Sequence, residues 1–306
     1  MGPSALNGGC GQLPLIVPSL RYRPGMDQRP IGIFDSGVGG LTVARAIIDL
    51  LPYESVIYFG DTARYPYGPR SQREVRRFAR EIMDVLLGED VKLAVVACNT
   101  ASAAALDHLR AAYPVPVVDV IEPTARAAVR LTRNRSLGVI GTVGAIGSGR
   151  YLQAIDATRE NVSVTTNACP EFVEFVERGE TTGNAVLELA GGYLAPLVDA
   201  QVDTLILGCT HYPLLTGVLS YLLGPDVFLV SSAEWTAREV FAELTRADLH
   251  APFGALPRHR FLSSGDPEQF RLLGSRFLGP EVGNVERRSA TGEPRPATPP
   301  VRAGTS

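Results

Sequence analysis

Two cysteines stand where an apolar run gives way to small polar residues. Cys98 closes "KLAVVAC" and is followed by Asn99, Thr100 and Ser102; Cys209 closes "TLILGC" and is followed by Thr210 and His211. One cysteine so placed suggests the nucleophile of a hydrolase or acyl-transferase, which wants a histidine base nearby. Only His211 is close to either in sequence; His108 is expected to face out of a helix, and His250 and His259 come late in the chain. Two cysteines in matching settings suit another task better. A thiolate on one face of a carbon removes a proton and a thiol on the other face returns one, which is racemisation by two acid–base groups. A free amino acid needs no covalent intermediate for this, only groups that stabilise the developing negative charge. Asn99-Thr100 and Thr210-His211 would offer amide donors at helix N-termini, where anions are favoured. The same field is expected to lower the pKa of each thiol.

Other chemistries fit less well. Cys209-x-His211 alone supplies too few ligands for zinc, so no metal is expected. "DSGVGG" (35–40) does not match G-x-G-x-x-G; Gly37, Gly39 and Gly40 are read instead as letting the backbone approach a ligand carboxylate, with Asp35 and Ser36 as polar contacts. Lys92 is the only lysine and enters a strand, where an exposed side chain is expected. That leaves one badly placed candidate for a pyridoxal-phosphate Schiff base and none for a P-loop. No cofactor is expected. Cys10, in an N-terminal leader, reads as an exposed thiol, and Cys169, between Ala168 and Pro170, as a structural one.

The elements that must position these groups alternate along the chain. Strands are expected at 31–34, 55–60, 92–98 and 114–121, then at 136–142, 161–168, 204–209, 227–232 and 259–264. Helices are expected at 41–51, 71–87 and after Cys98, then after Thr142 and at about 170–178, 184–200, 234–249 and 267–278. Ser71 with Glu74 makes a capping box for the helix at 71–87. Short apolar runs between amphipathic helices predict an α/β fold of two pseudo-symmetric domains with mostly parallel sheets. Asp35 ends the opening strand of one half and Gly141-Thr142 that of the other, and each half carries its cysteine at a similar chain separation further on. Ligands bind at the C-terminal strand ends of such sheets, so an interdomain cleft with one thiol from each wall is expected. The division reads as a disordered leader over 1–29, a first domain over 30–122 plus 232–280, a second over 123–231, and a disordered tail over 281–306. Met26 reads as an alternative start.

Composition agrees with an ordinary globular protein with a full core: 306 residues, 45% hydrophobic, 20% charged, net charge -3. That charge argues against nucleic acid and anionic membranes as partners. No apolar run approaches the roughly 20 residues of a membrane span. Four cysteines without CxxC spacing, and no convincing signal peptide, indicate free thiols and a cytoplasmic location.

Six segments, "GIFDSGVGGLTV" (32–43), "YFGDTARYPYG" (58–68), "ACNTAS" (97–102), "GVIGT" (138–142), "CPEFVEFVERGE" (169–180) and "LGCTHYPLL" (207–215), together resemble the cofactor-independent glutamate racemases of the Asp/Glu racemase superfamily. "GCTHYP" resembles the glutamate branch rather than the aspartate or hydantoin racemases. The resemblance implies interconversion of L- and D-glutamate, supplying D-glutamate for peptidoglycan. It implies Cys98 and Cys209 as the acid–base pair, Cys98 for the D form and Cys209 for the L form. Asp35, Glu177 and His211 would assist electrostatically, and Asp35, Ser36, Tyr67, Gly68, Asn99, Thr100, Thr210 and His211 would bind substrate. A homodimer and a contact with DNA gyrase are known in the family and become expectations here. Alternatives from the residues alone are plain helix caps at Asp35, Asn99 and Thr100, a solvated Glu177 and a turn residue at Tyr67. At the level of function they are a racemase of aspartate or another small acid, and a protein-binding regulator with a vestigial cleft.

Overall fold

The computed structural model describes residues 27–291. The first half alternates β1 (Ile31–Asp35), α1 (Leu41–Leu50), β2 (Val56–Gly60), α2 (Gln72–Gly88), β3 (Leu93–Val96), α3 (Asn99–Ala112), β4 (Val117–Asp119) and α4 (Ile121–Leu131). The second half runs β5 (Ser136–Gly141), α5 (Val143–Gly147), α6 (Arg150–Asp156), β6 (Ser163–Ala168), α7 (Glu171–Arg178), α8 (Asn184–Asp199), β7 (Thr204–Gly208), α9 (Thr216–Leu223), β8 (Phe228–Ser231) and α10 (Ser232–Ala247). The chain then returns through β9 (His259–Ser263), α11 (Pro267–Leu278) and β10 (Val285–Arg287).

All strand pairs are parallel, in two sheets ordered β10-β9-β2-β1-β3-β4 and β6-β5-β7-β8. The run β2-β1-β3-β4 repeats as β6-β5-β7-β8, so β1 corresponds to β5 and β3 to β7. The echo in the sequence is therefore a repeat of topology. In both sheets the strand order reverses beside the opening strand, which leaves a crevice at the C-terminal ends of β1 and β3 and of β5 and β7. Parallel strands covered on both faces read as continuous apolar runs, and β1, β2, β3 and β7 are buried along their whole length.

Local chemistry sets several boundaries. Ser71 accepts from the Glu74 amide while the Glu74 carboxylate accepts from the Ser71 amide, so the expected capping box opens α2. The expected strand at 114–121 shortens to β4, because the Asp119 carboxylate accepts from the amides of Ile121 (2.8 Å) and Glu122 (3.2 Å) and starts α4 there. The first part of the tail expected from residue 281 is ordered instead. β10 adds to the sheet beside β9, with Arg260 bridging to Glu286 at 2.9 and 2.8 Å. Charged side chains suit an edge strand, and their lack of apolar alternation hid it. The end of the expected disordered leader is also ordered, the Asp27 amide donating to the His250 carbonyl at 3.2 Å; residues 1–26, with Cys10 and Met26, and 292–306 lie outside the described residues.

Lys92 also differs from expectation. It is buried, pairs with Glu54 at 2.6 Å and donates to the Asp27 carbonyl at 2.7 Å. Glu54 and Asp27 are remote in sequence, so this neutralising pocket could not be read locally. It lies at the N-terminal side of β3, the opposite end of that strand from Cys98.

Asp119 carries an uncompensated cost. Its Oδ1 is buried without a partner, and Arg110 stays 3.8 Å away. Burial first, and then the charge of Glu122, push its pKa up to about 6. An unfolded aspartate titrates near 3.8, so the folded state binds this proton more tightly. Stability from this group therefore falls as pH rises from about 4 to about 6 and is flat above. Asp119→Asn keeps an acceptor for the two amides and removes the charge. It should stabilise the fold at pH 7.5 by up to about 3 kcal/mol, with the gap closing near pH 4. Urea unfolding at the two pH values checks this; a gap of equal size at both would contradict it.

Candidate active site

β1 delivers Asp35 and Ser36 to the crevice, and β3 ends one residue before Ala97-Cys98. The Cys98 sulfur caps α3, accepting from the Ala101 amide at 3.4 Å, and donates toward Ser36 Oγ at 3.7 Å. β7 ends at Gly208, and Cys209 follows. The next residues do not open an α-helix as expected. Pro213 falls within a tight 3-10 turn over Tyr212–Leu215, and α9 starts only at Thr216. Cys209 therefore lacks the helix N-terminus that Cys98 has, and it is paired differently: His211 Nδ1 lies 3.9 Å from its sulfur.

Both sulfurs open into one cavity of about 460 Å³ between the sheets. Asp35, Ser36, Tyr67, Gly68, Asn99, Thr100, Thr210, His211 and Glu177 line it with them. The exposures of the cysteines, 6% for Cys98 and 5% for Cys209, are those of groups at the floor of a pocket. Every side chain expected to act in catalysis or to bind substrate thus borders the same space; Gly37, Gly39 and Gly40, expected to approach a ligand, do not line it, and the amides of Gly37 and Gly40 turn instead to Asp35. Among the described residues, Cys98, Cys169 and Cys209 are free thiols. Among the described residues no lysine or arginine lines the cavity, and His211 brings an imidazole to it.

Gly39 lets the two walls meet. A methyl group there would sit 2.4 Å from both His211 Nδ1 and Thr210 Oγ1. Gly144 donates to the Gly68 carbonyl at 3.0 Å, and the Thr100 and Thr142 hydroxyls pair at 2.8 Å, closing the other side of the cleft.

The electrostatics divide the two thiols. Cys98 was expected to be acidified by its helix. Burial first, and the charge of Asp35 next, instead push its pKa up to about 12, so it is a thiol at neutral pH. The helix amide contributes in the expected direction but loses to desolvation. His211 goes the other way. Burial opposes its charge, but hydrogen bonds to Cys209 and Glu177 outweigh it and push its pKa up to about 10. Its Nε2 lies 3.2 Å from Glu177 Oε1, whose carboxylate is held below the usual range despite its burial. Cys98 thus keeps a proton, and Cys209 faces an imidazolium.

Two buried atoms of cleft residues have no hydrogen-bond partner among the described residues. Asp35 Oδ2 accepts from the Gly37 and Gly40 amides at 3.0 and 3.2 Å, leaving Oδ1 unpaired. Asn99 Oδ1 accepts from Tyr151 at 2.6 Å, leaving its Nδ2 unpaired. An acceptor of negative charge and an amide donor suit an ammonium and a carboxylate, the two ends of an α-amino acid. Among the described residues no group of three or more His, Cys, Asp or Glu is arranged to hold a metal ion.

The sequence reading missed Tyr65, Tyr151 and Arg276. Tyr65 lines the cavity and stacks on His211, with ring centroids 6.4 Å apart. Its neighbour Tyr67 had been singled out, and only the loop's tertiary path distinguishes their roles. The Tyr67 hydroxyl turns away to donate to Asp61.

A family model for Asp/Glu/Hydantoin racemases matches residues 39–240. The chain is 54% identical over 290 residues to a glutamate racemase of Beutenbergia cavernae, covering 90% of this chain and 99% of the relative. It is similar to the crystal structure of a glutamate racemase isoform from Bacillus anthracis, with 44% identity, a TM-score of 0.81 and coverage of 86% and 97%. It is also similar to a glutamate racemase of Francisella tularensis solved in complex with D-glutamate, with 36% identity, a TM-score of 0.81 and coverage of 87% and 99%. On the motif order, the repeated sheet and these likenesses, the chain belongs to the Asp/Glu/Hydantoin racemase family.

Proposed function

We propose that this protein interconverts L- and D-glutamate, with Cys98 and Cys209 as the two acid–base groups. The observation that carries the reading is that thiols from opposite sheets open into one cavity whose unpaired atoms match an amino acid's ammonium and carboxylate. Glutamate is favoured by the substrate named for the relatives and by the bound D-glutamate of the Francisella enzyme.

In this mechanism Asp35 Oδ1 receives the substrate ammonium. The α-carboxylate lies toward Asn99 Nδ2 and the start of α3, whose dipole favours the negative charge that grows there as the α-proton leaves. One sulfur, as thiolate, takes the α-proton, and the C–H electron pair passes into the α-carboxylate. The other sulfur, as thiol, gives its proton to the opposite face of the carbon. For the enantiomer facing Cys209, the imidazolium of His211 stabilises the thiolate before transfer, Glu177 balances that cation, and Cys98 supplies the proton. After one turnover the cysteines have exchanged protonation states, which prepares the site for the reverse reaction. D-glutamate made this way would serve peptidoglycan synthesis.

Circular dichroism of L-glutamate, D-glutamate and L-aspartate incubated separately with the protein tests the reading. Both glutamate signals should decay to zero, and that of aspartate should persist. Decay of aspartate at an equal rate would favour a broader acid racemase, and a constant glutamate signal would refute the assignment.

A further inference from the structure

Glu177 is placed where its own helix does little to hold it. It lies in the last turn of α7, just before Arg178 and the left-handed Gly179 that ends the helix. The last carbonyls of a helix lack intrahelical partners, and the negative end of the dipole repels a carboxylate. α7 has only eight residues, so its end frays readily unless something outside it supplies contacts. Yet the Glu177 carboxylate sits on His211 Nε2 and stays ionised.

The missing contacts come from the other sheet. Arg276, on α11 beside β9, donates its guanidinium to the Glu177 carbonyl and sets a positive charge near the carboxylate. Gly179 leaves room for it: a methyl group there would lie 3.3 Å from the Arg276 Nη1. Tyr65, in the loop after β2, turns its phenol to the Glu177 carboxylate and its ring to the imidazole. Phe277, next to Arg276, also meets His211, edge-on at 5.3 Å. The imidazole beside Cys209 is therefore contacted by groups that Cys209's own sheet does not supply.

We propose that Arg276 and Tyr65 are positioning residues for proton transfer at Cys209, holding the end of α7 and the Glu177 carboxylate on His211 from across the cleft. The inference rests on the two-cysteine reading and deepens it. The machinery at Cys209 is complete only with the two sheets closed on each other, whereas Cys98 is served by Asp35, Ser36 and α3 of its own sheet.

The test uses the full-length protein as wild type, Arg276→Ala, Arg276→Lys, Tyr65→Phe and Cys209→Ala, with L- and D-glutamate carrying hydrogen or deuterium at the α-carbon. Arg276→Ala should lower kcat/KM about tenfold, the low end for a hydrogen bond from a charged donor at a solvent-facing site. The deuterium isotope effect should rise for the enantiomer deprotonated at Cys209 and fall for its mirror image, because only one of the two transfers has become harder. Tyr65→Phe should shift the pair of isotope effects in the same direction, and Arg276→Lys should restore most of the rate. Wild-type rates and isotope effects in Arg276→Ala would overturn the inference. So would a loss with both isotope effects unchanged, which is what general destabilisation gives. Racemisation by Cys209→Ala would overturn the two-cysteine reading and this inference with it; loss there, alongside an unchanged Arg276→Ala, would overturn this inference alone.

Discussion

Cys98→Ala and Cys209→Ala should each lose racemisation by about a thousandfold or more, in both directions, while staying folded. A positioned acid or base is worth about 10² to 10⁴ in rate, and inversion needs one on each face of the carbon. The two losses are bound together by symmetry. L- and D-glutamate have equal free energies in water, so the equilibrium constant is one, and any variant must lower kcat/KM equally from either side. A twofold difference between directions in one variant would point to an assay fault or to a second enzyme.

What separates the two variants is exchange. With only Cys209 left, solvent deuterium should enter the enantiomer whose α-hydrogen faces it, with configuration retained; with only Cys98 left, the other enantiomer should exchange. Proton NMR in deuterated water reads this directly, and circular dichroism reads the lost inversion. The fold should survive because both sulfurs lie at the cavity floor. Cys98→Ala breaks the long contact to Ser36 Oγ and the cap on the Ala101 amide, the cap being worth about 1 kcal/mol. Persistent inversion in either variant would end the two-cysteine account.

The residues that could be read in advance share one property: their neighbours in sequence are their neighbours in space. Cys98 and Cys209 stand out because a buried parallel strand is an apolar run and its C-terminal end is where polar residues resume. Asp35 and the glycines after it belong to one turn. The repeat of strand order follows from two runs of strand and helix with cysteines at matching places. What could not be read depends on closure between distant segments. Lys92 is neutralised by Glu54 and carried by the Asp27 carbonyl. The acidity of Cys98 is decided by burial and by Asp35, not by the helix visible next to it. Tyr65 and Arg276 matter through Glu177, which neither approaches in sequence. β10 is a charged edge strand whose register is set by β9 alone.

Asp35→Asn should be the other large effect, a fall in kcat/KM of about a hundredfold with the fold intact. The asparagine oxygen can still accept from the Gly37 and Gly40 amides that now bond Oδ2, so the turn keeps its shape. At the unpaired Oδ1 position an amide nitrogen would stand instead, a donor facing the substrate's ammonium. Loss of one charge-assisted contact plus that mismatch amounts to about 3 kcal/mol, or roughly two powers of ten in rate. The substitution has a second, independent signature. The negative charge of Asp35 is one of the causes holding Cys98 protonated to about pH 12. Removing it makes the Cys98 thiol a stronger acid, so Cys98 ionises at lower pH. Inversion that takes its proton from Cys98 needs that thiol protonated, so the alkaline limb of kcat/KM should move to lower pH, and by the equality of the two directions it should move alike for L- and D-glutamate. A variant with wild-type kcat/KM, or one slowed a hundredfold with its alkaline limb unmoved, would mean that Asp35 shapes the loop rather than the charge field of the reaction.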